Sequence, residues 1–130
     1  GGMWDPSVGG GVAVGETTSV ACVGEVKEEL GIDIHERDLK FIGRYKMPKI
    51  IPETGLYSND FSDTYIIKMD IGREDLVLQK SEVAEVKKVS YEELKEEFEN
   101  QNKFKNWVPH GEEYYYSMLK KIKNEITKND

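Results

Sequence analysis

From Thr18 to Leu30 apolar residues return every three or four positions, at Val20, Val23, Val26 and Leu30, with Thr17 and Thr18 at the start and Gly31 just past the end. That period lines up one side of an α-helix, opened by a hydroxyl side chain and closed by a residue free to turn left-handed. A second helical pattern runs from about Glu112 to Ile126, with Tyr115, Met118, Leu119, Ile122 and Ile126 on one face. Ser90 followed by Glu93 has the capping-box spacing and predicts a shorter helix toward Phe98.

Three other segments predict strands because β-branched and aromatic residues are mixed with polar ones: Leu39 to Met47, Thr64 to Met69 and Glu85 to Val89. A further short strand is expected at Gly11 to Val14. Between the first two lie Pro48, Pro52, Gly55 and Asn59, which read as a long loop and a candidate binding lid. The opening residues 1–11 hold five glycines and a proline, so they read as loop anchored by Trp4 and Val8. Helices and strands are mixed along the chain without repeats, and the fold class expected is α+β.

The chain has 130 residues, enough for one core of ordinary size, and a single soluble domain over residues 1–130 is expected. With 25 acidic and 18 basic residues its net charge is −7, which disfavours nucleic acid polymers as partners. A small phosphate-bearing substrate stays compatible with that charge if divalent cations sit between carboxylates and phosphates. No apolar run is long enough to span a bilayer, the first residues lack a signal-peptide pattern, and Cys22 has no second cysteine to pair with. A cytoplasmic protein with no membrane partner is the expectation.

The predicted first helix carries Glu25, Glu28 and Glu29, whose spacing of three and four residues places them on adjacent positions of one surface. Such crowding of like charges is unfavourable by itself. One remedy is a hard divalent cation with oxygen ligands; the plainer alternative is a solvated acidic face. Glu16 precedes the helix, and Gly9, Gly10 and Gly11 allow close backbone approach there.

Taken together these residues resemble the Nudix box, G-x5-E-x7-R-E-U-x-E-E-x-G-U, where U is a bulky aliphatic residue. Gly10, Glu16, Glu25, Val26, Glu28, Glu29, Gly31 and Ile32 match it, and Gly24 stands where the pattern has arginine. The lead-in from Trp4 to Gly10 looks like that of a bacterial Nudix subgroup similar to isopentenyl-diphosphate isomerases, and Ser81 to Leu94 looks like a later strand and helix of Nudix domains. The resemblance implies a Nudix-type α/β/α sandwich with a mixed sheet. It also implies magnesium, with manganese as a substitute, held by Glu25, Glu28 and Glu29, with Glu16 supporting the loop or a second ion. Glu82 would be a further ligand or base, ahead of Glu85, and Glu28 and Glu29 would take part in catalysis.

The activity so implied is attack of water on a phosphorus of a nucleoside diphosphate linked to another moiety. Gly24 removes a guanidinium that would orient the carboxylates, and lost orientation of a metal ligand costs about 10–100-fold. The alternative is therefore a catalytically impaired Nudix-like domain that binds nucleotides or partners. Isomerase activity is not expected, since those enzymes use a cysteine upstream of the box and Cys22 lies inside the helix. The resemblance further implies strands ahead of the Trp4 lead-in that this sequence starts too late to contain. An N-terminally incomplete domain with an unpaired sheet edge, prone to homo-oligomerise, is the expectation.

Tyr57, Asp60 and Phe61, together with Asn59 and Asp63, are the candidate substrate contacts on the expected lid. Trp4 and Trp107 could stack on a base, but core or loop anchoring is the commoner role for large aromatics. His110, the run Tyr114 to Tyr116 and Cys22 read as packing residues, and His35 as solvated.

Overall fold

The structure is a computed structural model that describes residues 3–6, 15–51, 54, 56–81 and 83–127. The order of elements is α1 (Thr18–Leu30), β1 (Leu39–Ile51), β2 (Leu56–Ile67), α2 (Tyr91–Glu99), α3 (Gln101–Phe104) and α4 (Glu112–Thr127), with short 3₁₀ turns at Glu36–Asp38 and Arg73–Asp75. The fold is α+β, and among the described residues β1 and β2 form a two-stranded antiparallel sheet. The described residues include no helix long and apolar enough to cross a membrane. Two compact units divide the chain: one of Gly1–Trp4, Phe41–Ile66 and Ser90–Asp130, the other of Asp5–Lys40 and Ile67–Val89.

The first unit holds an aromatic core. Ile42, Phe98, Trp107, Tyr114, Tyr115, Met118 and Leu119 are buried together, and Trp4, Tyr45, Tyr91 and Phe104 pack against them. Phe98 meets Trp107 edge-on at 5.0 Å and Tyr115 at the same separation. Tyr115 is fully buried, and its hydroxyl donates to the Val108 carbonyl at 2.6 Å, so the polar end of the ring has a partner. Both tryptophans are structural. The Trp4 amide donates to the Asn106 carbonyl at 2.7 Å and its carbonyl accepts from Val108 at 2.8 Å, a parallel bridge that ties the Trp4 backbone to residues 106–108.

Two expectations about strands are corrected. The segment expected to be a long lid is mostly hairpin: β1 runs on through Pro48 to Ile51, β2 starts at Leu56, and only residues 52–55 connect them. Phe61, Thr64 and Tyr65 favour strand conformation, and Pro48 is tolerated because each strand has a single neighbour among the described residues. Asp63, expected in the lid, instead takes a two-pronged ion pair from Arg44 on β1, with Arg44 Nε at 2.6 Å from Oδ1 and Nη2 at 3.1 Å from Oδ2. Among the described residues, Glu85 to Val89 forms no strand. Its apolar residues are too few to show, from sequence alone, which chain would lie beside them. The strand expected at Gly11 to Val14, the anchor Val8 and the Gly9 to Gly11 run lie outside the described residues.

The helices form where the pattern places them. Ser90 Oγ accepts from the Glu93 amide at 3.0 Å and opens α2, while α3 and its core residue Phe104 follow a second cap, with Asn100 Oδ1 accepting from Asn102. In α4 Tyr114, Tyr115, Met118 and Leu119 are buried and Tyr116 is exposed, so the tyrosine run serves packing. His110 fits the same role, edge-on to Tyr114 at 5.5 Å.

Candidate functional site

All the helical carboxylates of interest stand on α1, within the second unit. The helix opens at Thr17, whose Oγ1 accepts from the Val20 amide at 3.2 Å. Ser19 in the first turn donates to Glu36 Oε1 at 2.6 Å, fastening the helix start to the following 3₁₀ turn. At its other end Gly31 has φ 73°, and its amide returns to the Lys27 carbonyl at 3.0 Å. A side chain there would be doubly excluded: besides the left-handed backbone, a Cβ would lie 2.7 Å from Val77 Cβ and 2.9 Å from the Val77 carbonyl oxygen.

The chain from Val77 onward completes that end. Val77 donates to the Leu30 carbonyl at 2.8 Å and Gln79 to the Glu29 carbonyl at 3.0 Å, so two of the carbonyls left over at the helix terminus are satisfied by a segment almost fifty residues away. Val83 in turn donates to the Gln79 carbonyl at 2.7 Å. Gly31 was legible from the sequence as a cap. The partners Val77 and Gln79 were not, because nothing in an extended stretch of leucine, valine and glutamine marks it as a helix-end ligand.

The buried side of α1 is formed by Ala21, Val26, Glu29 and Leu30, while Val20 is exposed. The apolar stripe read from the sequence is thus rotated, and it includes a carboxylate. Glu29 is only 7% exposed, Glu25 is half-buried and Glu28 is exposed. An acidic side chain is seldom found so deep. Glu16 lies exposed ahead of the helix, Glu82 and Gly10 lie outside the described residues, and Glu85 is exposed.

Among the described residues no three His, Cys, Asp or Glu side chains close on a point as a metal cage. The donor set nonetheless suits a hard cation: Glu25, Glu28 and Glu29 offer oxygen alone, and their spacing sets neighbouring Cβ atoms about 5–6 Å apart, within reach of glutamate side chains. Lys27, one position from Glu28, is drawn away in an ion pair with Asp33 at 3.2 Å. Cys22 is half-buried, and burial, aided by the charge of Glu25, raises its thiol pKa above the ordinary value. That disfavours the thiolate and fits a packing role.

Gly24 is exposed on α1, and a Cβ built there meets nothing within 4 Å. The position where the box has arginine therefore has room for a side chain. The remaining candidates belong to the other unit. Tyr57, Asp60 and Phe61 fall on β2; the side chains of Tyr57 and Asp60 lie outside the described residues, and the Phe61 ring is 68% exposed.

Residues 1–111 match the NUDIX domain model. The chain is 31% identical over 96 residues to "Nudix hydrolase 3" of Arabidopsis thaliana, covering 72% of this chain and 12% of that protein. It is 32% identical over 126 residues to an uncharacterized Nudix hydrolase of Listeria monocytogenes, covering 95% of this chain and 63% of that protein. A counterpart from Listeria innocua is 34% identical over the same length and coverage. The chain thus spans less than two thirds of the length of each of these relatives. No solved structure matches it.

Proposed function

The chain belongs to the NUDIX domain family, and from that premise we propose that it hydrolyses a nucleoside diphosphate linked to another moiety, using magnesium held on α1. The burial of Glu29 beside Glu25 on the helix of the box carries this reading, because a carboxylate set into an apolar stripe is poorly explained as a solvated face. Glu25, Glu28 and Glu29 would hold the ion, and Glu16 would support the loop before the helix or a second ion. When bound, magnesium neutralises phosphate oxygens and lowers the pKa of the attacking water. Glu82 would serve as a further ligand or as the base that takes a proton from that water, and Glu28 and Glu29 would take part in catalysis as ligands of the ion. Tyr57, Asp60 and Phe61 are proposed substrate contacts, now as residues of a strand.

Gly24 favours a second reading at the same site, a domain that binds such a nucleotide and turns it over poorly. Without the guanidinium the carboxylates lack one orienting group, and a loss of about 10–100-fold relative to an arginine-bearing site is expected. One experiment separates the two. The chain and Gly24→Arg are incubated with nucleoside triphosphates, dinucleoside polyphosphates and nucleotide sugars, with and without magnesium, and products are followed by phosphorus NMR. Magnesium-dependent release of a monophosphate by the unmodified chain, lost in Glu28→Gln and Glu29→Gln, supports the hydrolase. Turnover by the arginine variant alone supports the impaired domain, and no turnover by either overturns the hydrolase reading.

A further inference from the structure

Gln79 makes two backbone hydrogen bonds that point in different directions along the chain. Its amide donates to the carbonyl of Glu29 at 3.0 Å, and its own carbonyl accepts from the amide of Val83 at 2.7 Å. One peptide segment therefore connects the last turn of α1, where Glu28 and Glu29 stand, to the turn at Lys80 and Ser81 that precedes Glu82 in the sequence. Val77 adds a second bond to the Leu30 carbonyl at 2.8 Å, and its close fit against Gly31 leaves that contact little slack.

We infer that the backbone amide of Gln79 is a positioning joint, fixing the Glu29 turn of α1 from which a divalent cation would be bound. The joint acts through the N–H and not through the exposed side chain of residue 79. Outer partners that orient metal ligands are commonly worth about 10–100-fold in affinity, and this one orients the ligand through its own carbonyl. The inference rests on α1 being the metal helix.

Manganese binding, followed by electron paramagnetic resonance on the whole chain, tests it apart from turnover. Gln79→Pro removes the N–H and is expected to weaken manganese binding about 10–100-fold, while Gln79→Ala keeps the N–H and retains the affinity. A purely structural bond would lower the melting temperature of the proline variant and leave the affinity of its folded form unchanged. That result, with folding checked by circular dichroism, overturns the joint and leaves the metal helix standing. Equal weakening in both variants also overturns it, since the side chain would then be responsible. If the unmodified chain takes up no manganese, the metal reading falls and the joint with it. Where the proline variant fails to fold, an ester linkage at the same peptide bond deletes the N–H with the side chain intact, and the same two outcomes apply.

Discussion

Two glycines of α1 have opposite physical standing. Gly24 has a helical backbone with open space where a Cβ would be, so it gains nothing from being glycine and adds conformational freedom to the unfolded chain. Gly24→Ala is expected to raise stability by about 0.5–1 kcal/mol, read as a higher urea midpoint with an unchanged slope. Gly31 is bound by both its positive φ and the proximity of Val77, and Gly31→Ala is expected to cost about 1–2 kcal/mol or more in the same measurement. Cys22 offers a prediction in pH. Only the thiolate is alkylated, and burial raises the pKa, so at pH 8 iodoacetamide should react more slowly with the folded chain than with the unfolded one. The rate should climb only as pH passes above the ordinary thiol range.

Among the elements, α1 and the hairpin illustrate what local pattern can and cannot reveal. The span of α1 was readable because cap, periodicity and closing glycine agree, but its buried side was not. Alanine is small enough to be passed over and glutamate is assigned to water by default, so the apolar period does not mark Ala21 and Glu29, which are buried, and includes Val20, which is exposed. In the hairpin the prolines suggested a loop. A strand with a neighbour on one side has spare backbone positions, which sequence reading could not know before the pairing was known. In α4 the hydroxyl of Tyr115 completes an otherwise apolar contact, and Tyr115→Phe is expected to lower stability by about 1 kcal/mol through loss of the bond to Val108. Thermal unfolding followed in the near-ultraviolet would register it.

At the scale of the whole molecule, the chain combines a net charge of −7 with several carboxylates on one helix. If that helix binds a divalent cation in the native state alone, magnesium at about 100 times its dissociation constant should add about 2.7 kcal/mol of stability by mass action. The expected result is a melting temperature that rises with magnesium in the unmodified chain and stays flat in Glu29→Gln. An equal rise in both would show general screening of negative charge and count against the site.

The sequence by itself determined the family resemblance, the extent of α1, α2 and α4, and the residue types available to a cation, because caps, helical periodicity and the spacing of glutamates are all written within a few adjacent residues. Only the tertiary structure decided that Glu29 is buried, that Gly24 has room around it, that the supposed lid is a hairpin, and that Val77 and Gln79 close the end of α1. Each of those depends on which distant segment comes to lie beside a given residue, and backbone groups that pair across almost fifty positions leave no mark in side-chain order.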